Sequence, residues 1–197
     1  MLERELDPDP LRQFVRWFEE AEAAGIRFPE TMTLATAAVD GSPSARMVLL
    51  KGADERGFAF YTNYDSRKGR ELAANPRAAL VLYWQPLGRQ VRVEGAVERV
   101  DFDESSAYWA TRPRASRVSA WASPQSEPVP GRDELEEAAA AIDQDFAGED
   151  LPLPPHWGGY RVIPDSIELW EHRDDRLHDR VLYTRTGEGW RMERLAP

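Results

Sequence analysis

The sequence predicts a mainly β protein: a β-barrel with peripheral α-helices. Two observations indicate this class. Strand-like apolar segments recur about every 8–12 residues, and helical segments are inserted between groups of strands instead of alternating with them, as they would in a parallel doubly wound sheet. A length of 197 residues and a hydrophobic content of 42% allow one substantial core, so we expect a single domain over residues 1–197.

The first predicted element is a helix over about residues 8–24. An Asp-Pro-Asp-Pro run provides its start, apolar residues follow at helical spacing, and Gly25 ends it. Barrel strands are expected over about residues 31–100, in five segments: 31–39, 45–51, 58–63, 78–84 and 89–100. Turn sequences between the first three segments predict consecutive hairpins. Ser66 is the expected N-cap of a short helix before the fourth segment.

The second half of the chain is predicted to hold a helical insert and a final group of strands. Three short helices are expected over about residues 102–146, followed by a Pro-rich connector at 151–155. The C-terminal strands are expected over about residues 158–194, in four segments: 158–162, 166–170, 181–185 and 190–194. The glycine motifs of dinucleotide-binding and P-loop proteins are absent from the sequence.

Composition excludes several classes of function. A net charge of −10 argues against nucleic acid as the main partner. The chain has no Cys, which excludes disulfides and thiol catalysis, and its three scattered His predict no metal site. No apolar run approaches the length of about 18 residues expected of a membrane span. The acidic N-terminal segment does not resemble a signal peptide, so we expect a cytoplasmic protein.

The two lysines of the chain point to anion binding. The sequence has 25 Lys and Arg residues, and only Lys51 and Lys68 are lysines. Arg67 and Lys68 occupy the first turn of the helix that Ser66 caps, where the helix dipole disfavours cations. A phosphate bound at that turn would reverse the sign of this effect. The alternative is that both side chains simply extend into solvent.

A second anion site is predicted in the helical insert. Tyr108 and Arg112 are four residues apart and share a helix face, and Ser116 lies near the start of the next helix. Residues 105–126 contain no acidic residue, although the protein as a whole is acidic. A surface helix–turn–helix with incidental polar residues is the alternative interpretation.

Two further segments carry polar side chains that a ligand could use. If residues 176–180 are extended, Arg176, His178 and Arg180 face one side, and such stacking of like charge favours a bound anion. Gln90 lies on the polar face of an alternating strand and could offer a donor and an acceptor to a heterocycle edge. A solvent-exposed strand face is the alternative for Gln90. Together these segments favour a phosphorylated cofactor plus a small dianionic molecule.

Nine sequence runs, spread over residues 46–197, carry a resemblance to a known family. The runs are RMVLLK (46–51), YTNYDSRK (61–68), RQVRVEG (89–95), RPRAS (112–116), AWASPQS (120–126), WGGYRV (157–162), IELW (167–170), RLHDR (176–180) and RLAP (194–197). With these runs the sequence resembles the pyridoxamine (pyridoxine) 5′-phosphate oxidase family of FMN-binding split barrels.

The resemblance implies roles for individual residues. It assigns FMN contacts to Arg46, Met47, Val48, Leu49, Tyr61, Thr62, Arg67, Lys68, Gln90, Gln125, Ser126, Trp170 and Arg180. It assigns binding of the substrate to Lys51, Tyr108, Arg112, Ser116, Arg176 and His178, of which Arg176 and His178 would be catalytic. Arg46 and Lys51 are five residues apart and would leave opposite faces of a regular strand, which is consistent with two separate phosphates.

The activity implied by the resemblance is oxidation of pyridoxamine 5′-phosphate and pyridoxine 5′-phosphate to pyridoxal 5′-phosphate. Hydride passes from the substrate C4′ to FMN, dioxygen is the electron acceptor and hydrogen peroxide the product, and FMN lies between the subunits of a homodimer. Two alternatives remain open at this point. One is a related flavin oxidase for another aromatic substrate, such as a phenazine precursor; the other is a non-catalytic protein that binds FMN or pyridoxal phosphate.

Overall fold

The fold is built on one antiparallel sheet of nine strands, seen in a computed structural model that describes residues 1–197. The strands are β1 (Thr31–Ala37), β2 (Pro43–Leu49), β3 (Gly52–Asp54), β4 (Gly57–Asn63), β5 (Arg77–Trp84), β6 (Arg89–Arg99), β7 (Trp157–Glu171), β8 (Asp179–Thr186) and β9 (Gly189–Arg194). Their order is β2-β1-β5-β6-β7-β4-β3, and β8 joins β7 to β9. The mainly β class predicted from the sequence is confirmed.

Five α-helices surround the sheet. They are α1 (Pro10–Ala23), α2 (Arg67–Ala74), α3 (Phe102–Thr111), α4 (Arg114–Ala122) and α5 (Arg132–Asp145). Asp9 caps α1 and Ser66 caps α2, each through a side chain that accepts a backbone N–H near the start of its helix. No helix of the structure combines the length and the apolar character that crossing a bilayer requires.

The core lies between the curled sheet and α1. The alternate residues Met32 and Leu34 of β1 point inward and are fully buried. Phe14 of α1 makes an edge-to-face contact with Phe58, with ring centroids 4.9 Å apart, and lies 6.1 Å from Trp84. These rings anchor α1 against the barrel, because aromatic side chains bury large apolar areas.

The prediction that the first three strand segments are joined as consecutive hairpins is wrong at the second hairpin. β2 pairs only with β1, while β4 pairs with β7 and with the short strand β3. The chain turns out of β2 at Leu50, whose side chain is buried and whose N–H bonds to Glu30. The edge of β2 that faces β4 is therefore unpaired, and the barrel is split at this point.

The predicted strands 158–162 and 166–170 are one continuous strand, β7. Pro164 lies between the two predicted segments, and a β-bulge accommodates it: Glu94 of β6 pairs with Ser166, whereas Gly95 pairs with Pro164. A side chain at Gly95 would place its Cβ 1.9 Å from the carbonyl oxygen of Ile163, so only glycine fits there. β7 consequently runs without a break for 15 residues, from Trp157 to Glu171.

Candidate functional site

A cavity of about 520 Å³ opens at the split between β2 and β4, beneath α3 and α4. Its lining includes twelve of the residues predicted to bind ligand: Arg46, Met47, Val48, Leu49, Lys51, Tyr61, Thr62, Lys68, Tyr108, Arg112, Ser116 and Gln125. Four of the lining side chains are cationic, and none is acidic. In a chain whose net charge is −10, this cavity is therefore a local concentration of positive charge that favours anions.

Lys68 is the most deeply buried cation of the cavity. Its Nζ donates hydrogen bonds to Gln125 Oε1 at 2.7 Å, to Thr62 Oγ1 at 3.1 Å and to Ser66 Oγ at 3.3 Å. Burial, and secondly the charge of Arg46, lower the pKa of Lys68 to about 8. An anion beside Lys68 would restore the usual preference for the charged form.

Arg46 and Arg67 converge on a carboxylate, that of Glu71. Arg46 donates to Thr36 Oγ1 and to Ser44 Oγ at 2.5 Å each, and its Nη2 lies 3.3 Å from Glu71. Arg67 Nε donates to Glu71 at 2.8 Å. Sequence reasoning did not select Glu71; the only available signal was its position four residues after Arg67.

An aromatic wall closes the other side of the cavity. The rings of Tyr61 and Tyr108 stack with centroids 4.1 Å apart, and Trp157 stacks on Tyr61 at 5.5 Å. The guanidinium of Arg112 lies 4.6 Å above the Trp157 ring, and its Nη1 is buried without a hydrogen-bond partner. Burial raises the pKa of Tyr61 to about 12 and lowers that of Arg112. Trp157 was not predicted as a site residue.

A buried ion pair sets the position of α3, which carries Tyr108. Arg161 of β7 is 3% exposed and donates to Glu104 of α3 at 2.5 Å and to Asp54 at 3.1 Å. Glu104 and Tyr108 are four residues apart and lie on one helix face. The aromatic wall is thus fixed to the barrel through β7.

Seven predicted residues lie outside the cavity lining, and five of them form what we call the strand-end group: Gln90, Trp170, Arg176, His178 and Arg180. Gln90 is the register partner of Trp170, and Trp170 is that of Arg180. The His178 ring lies 4.7 Å from that of Trp170. Arg180 donates two hydrogen bonds to the buried Glu168, at 2.8 and 3.2 Å.

Residues 176–180 are not an extended segment, contrary to the expectation. Arg176 has a φ of 65° and an exposed side chain, and β8 begins only at Asp179. The Asp175 side chain accepts the N–H of Leu177 at 3.0 Å, which stabilises a turn. The three predicted side chains therefore do not share one strand face.

Lys51, Arg67 and Ser126 are the remaining predicted residues whose positions differ from a simple strand or cavity-lining site. Lys51 lies beyond the end of β2, so the alternation of strand faces does not reach it, and both Arg46 and Lys51 line the cavity. Arg67 and Ser126 are outside the cavity lining. Arg67 nevertheless contacts the Arg46 cluster through Glu71, while Ser126 is exposed and has a φ of 74°.

Four cations and a wall of stacked rings in one cavity are the features of a binding site for a planar, anionic ligand. A family model described as pyridoxamine 5′-phosphate oxidase matches residues 18–144, and one described as the pyridoxine 5′-phosphate oxidase C-terminal dimerisation region matches residues 157–197. A protein of Rubrobacter xylanophilus named pyridoxine/pyridoxamine 5′-phosphate oxidase is 61% identical over 97% of this chain and 88% of its own length.

Solved structures show the same fold. PhzG from Burkholderia lata, in complex with tetrahydrophenazine-1-carboxylic acid, superposes with a TM-score of 0.92 at 35% identity, covering 97% of this chain and 94% of PhzG. A pyridoxamine 5′-phosphate oxidase-related, FMN-binding protein from Nostoc punctiforme has a TM-score of 0.74 at 20% identity, covering 95% of this chain and 98% of its own. The chain belongs to the pyridoxamine 5′-phosphate oxidase family, whose members are FMN-dependent enzymes with a split-barrel fold.

Proposed function

We propose that this protein oxidises pyridoxamine 5′-phosphate and pyridoxine 5′-phosphate to pyridoxal 5′-phosphate, with FMN as cofactor, dioxygen as electron acceptor and hydrogen peroxide as product. The observation that carries the proposal is the cavity, which combines four cations, a stacked aromatic wall and no carboxylate in its lining. Such a site suits two phosphorylated aromatic molecules. Its volume of about 520 Å³ is in the usual range for small-molecule sites.

We assign the two phosphates to opposite ends of the cavity. Lys68, Arg46 and Arg67 would hold the FMN phosphate. Arg67 and Lys68 lie in the first turn of α2, where the helix dipole also favours an anion, and Arg46 shares the partner Glu71 with Arg67. Gln125 and Ser126 would contact the same phosphate. Lys51, Tyr108, Arg112 and Ser116 would hold the substrate phosphate. The buried, unpartnered Nη1 of Arg112 supports this assignment, since such a donor needs an acceptor.

The unpaired edge of β2 would hold the flavin ring. Met47, Val48 and Leu49 lie on this edge and line the cavity, and an edge strand offers free backbone N–H and C=O groups. Backbone groups of this kind can match the donor and acceptor edge of a heterocycle. Tyr61 and Thr62 of β4 would contact the cofactor across the split.

FMN would supply the acceptor for the hydride that leaves the substrate, and the protein would bind and orient both molecules. Arg176 and His178 are proposed to lie beside the reacting carbon of the substrate. Arg180, held by its two hydrogen bonds to Glu168, would present a fixed positive charge to the flavin. Gln90 and Trp170 would contact the flavin beside Arg180.

These residues cannot reach the cavity of their own chain. Trp157 lines the cavity, and Trp170 lies thirteen residues farther along the same strand, β7. At about 3.3 Å per residue, the strand between these two residues is about 40 Å long. We therefore propose a homodimer in which the strand-end group of one chain completes the cavity of the other. The match of residues 157–197 to a dimerisation region supports this assembly.

A sheet face suited to such a dimer lies between the two regions. On the outward side of β1, β2 and β5 the residues are small or apolar: Ala35 pairs with Ala45 and Ala79, and Thr33 pairs with Met47 and Val81. Met47 is 61% exposed in the single chain. The face continues through register pairs to Arg92 and Glu168, next to Arg180. A second copy packed here would bury the apolar residues.

The decisive experiment is complementation between two inactive variants. Lys68→Met disables the cavity, and Arg180→Ala disables the strand-end group. Each homodimer should bind FMN weakly and turn over little. When the two are unfolded, mixed in equal amounts and refolded, random pairing gives about a quarter of the sites with both halves intact. Recovery of about a quarter of wild-type peroxide production supports the proposal, and no recovery contradicts the shared site.

The main rival is an oxidase for a tricyclic substrate without phosphate, as the superposition with PhzG suggests. Lys51 and Arg112 favour the phosphorylated substrate, because a phosphate carries about two negative charges for these two cations, whereas a carboxylate such as that of the PhzG ligand carries one. Wild-type protein should oxidise pyridoxine 5′-phosphate far faster than pyridoxine. Equal rates for the two substrates would favour the rival.

A further inference from the structure

We infer that Glu71 is a positioning residue of the phosphate site: its buried carboxylate holds Arg46 and Arg67 in the geometry that receives the FMN phosphate. The inference rests on the proposed function and adds a residue to it. A carboxylate next to an anion site is unexpected, because its charge repels the ligand. Its contacts explain why it is there.

Glu71 gathers groups from three separate elements. It accepts hydrogen bonds from Thr36 of β1 at 2.5 Å, from Ser44 of β2 at 2.6 Å and from Arg67 of α2 at 2.8 Å, and it lies 3.3 Å from Arg46 of β2. The side chain is 8% exposed. Although burial opposes ionisation, the hydrogen bonds from Ser44, Thr36, Arg67 and Arg46 lower the pKa of Glu71 to about 2. It is therefore a carboxylate at every working pH.

The same contacts fix the arginines. Arg46 uses Nη1 for Thr36 and Nη2 for Ser44, and both of these hydroxyls also donate to Glu71. Arg67 is 59% exposed, and Glu71 is the acidic partner that holds its Nε. Without the carboxylate, Arg67 would lose its tether and Arg46 its ionic partner. Mobile arginine side chains would lose conformational entropy when the ligand binds, which lowers the affinity.

The charge count gives a second reason. Arg46, Arg67 and Lys68 together with Glu71 carry a net charge of two positive, which matches a phosphate monoester of about −1.5 to −2. Arg46 already lowers the pKa of Lys68 by repulsion. Glu71 offsets this crowding of positive charge, so three cations can stay close to one another before phosphate arrives.

The test is the sign of the change in FMN affinity in Glu71→Gln, which keeps the shape and removes the charge. If Glu71 positions the arginines, FMN should bind about tenfold more weakly, while riboflavin, which has no phosphate, should bind as in wild type. If its charge merely opposes the ligand, FMN should bind more tightly. Titration of flavin fluorescence with both ligands decides between these outcomes.

Glu127→Gln is the matched control. Glu127 forms an ion pair at 2.8 Å with Arg70 of α2, the helix that also carries Glu71. It contacts neither Arg46 nor Arg67. This variant removes one negative charge near α2 and should leave FMN affinity equal or slightly higher. A tenfold loss in the control as well would overturn the inference, since any change of charge near α2 would then suffice.

Two further measurements guard against a folding defect. Ser44→Ala, which removes one donor to Glu71 and one acceptor from Arg46, should weaken FMN by a smaller factor in the same direction. In an Arg67→Gln background, Glu71→Gln should lose part of its effect, because one of the groups it positions is gone. Full additivity of the two variants, or unchanged FMN binding in Glu71→Gln, would overturn the inference alone. Equal affinity of wild type for FMN and riboflavin would overturn the proposed function with it.

Discussion

The cavity and the strand-end group differ in how completely one chain builds them. In the cavity, Lys68 is buried and fully hydrogen-bonded, and the aromatic wall is stacked and anchored to β7. In the strand-end group, Arg176 is exposed on a turn, and His178 is half-buried against Trp170. Under the proposed function, the groups for the phosphates are already ordered within one chain, whereas the groups for the chemistry would reach the cavity only on assembly.

The largest effect is expected from a substitution that prevents assembly of the proposed dimer. Ala35→Glu puts a charge in the middle of the outward sheet face, and burying an unpaired charge costs about 3–5 kcal/mol. We expect monomers by light scattering and FMN affinity lowered by more than about a hundredfold. Ala141→Glu, on the exposed side of α5, is the control and should change neither property. A dimeric Ala35→Glu protein with normal FMN binding would show that the interface lies elsewhere.

A substitution at Arg112 tests whether the two ends of the cavity bind different phosphates. Arg112→Gln should raise the KM for pyridoxine 5′-phosphate by about 10–100-fold, because a charge-assisted hydrogen bond contributes about 1.5–3 kcal/mol. FMN should stay bound, and the melting temperature should not fall, since a buried Nη1 without a partner is removed. Lys51→Ala should act in the same direction more weakly, as Lys51 is exposed. Release of flavin from the Arg112 variant would contradict the division of phosphates.

The lowered pKa of Lys68 predicts a pH dependence of FMN binding. Below about pH 8 the free protein carries the charged lysine, and affinity is at its maximum. Above that value the free protein loses the proton that the complex retains, so affinity should fall by roughly tenfold per pH unit. Titrations between about pH 7 and about pH 9 test this, and Lys68→Met should bind weakly without the slope. A wild-type affinity that is flat across this range would exclude Lys68 from the phosphate contact.

The smallest effect is expected at His178. Its ring contact with Trp170 is worth about 0.5–1.5 kcal/mol, so His178→Ala should lower kcat/KM by a few-fold to about tenfold with FMN retained. Arg176→Lys should also reduce kcat, because lysine cannot reproduce the guanidinium fork. Steady-state kinetics on FMN-saturated protein provide the measurement. Wild-type values for both variants would show that the strand-end group only supports structure.

Much of the fold followed from local sequence, and the failures have physical causes. Alternation and turn residues predicted most of the strands, and Ser66 was a correct N-cap. The continuity of β7 across Pro164 was not predicted, because the bulge that accommodates this proline depends on Gly95 of another strand. The missing pairing of β2 with β4 likewise depends on Leu50 entering the core, which no local pattern reports.

The candidate site was also predicted only as far as residues close in sequence allowed. Residues of the resemblance runs on β2, β4, α2 and α4 line one cavity. Glu71 and Trp157 were not predicted, since Arg67 is the one partner of Glu71 close in sequence and the other partners of both residues come from distant elements. The conformation of Arg176 was also hidden, because a non-glycine residue with a φ of 65° is not expected from sequence.

The unpaired edge of β2 has a consequence for protein quality control. Met47 and Leu49 are 61% and 43% exposed there, and an apolar edge with free backbone groups is a template for adding a foreign strand. A bound flavin would cover this edge, so the supply of cofactor would affect the solubility of the protein as well as its turnover. We expect FMN-depleted protein to scatter light progressively at warm temperature and the FMN-loaded protein to remain clear.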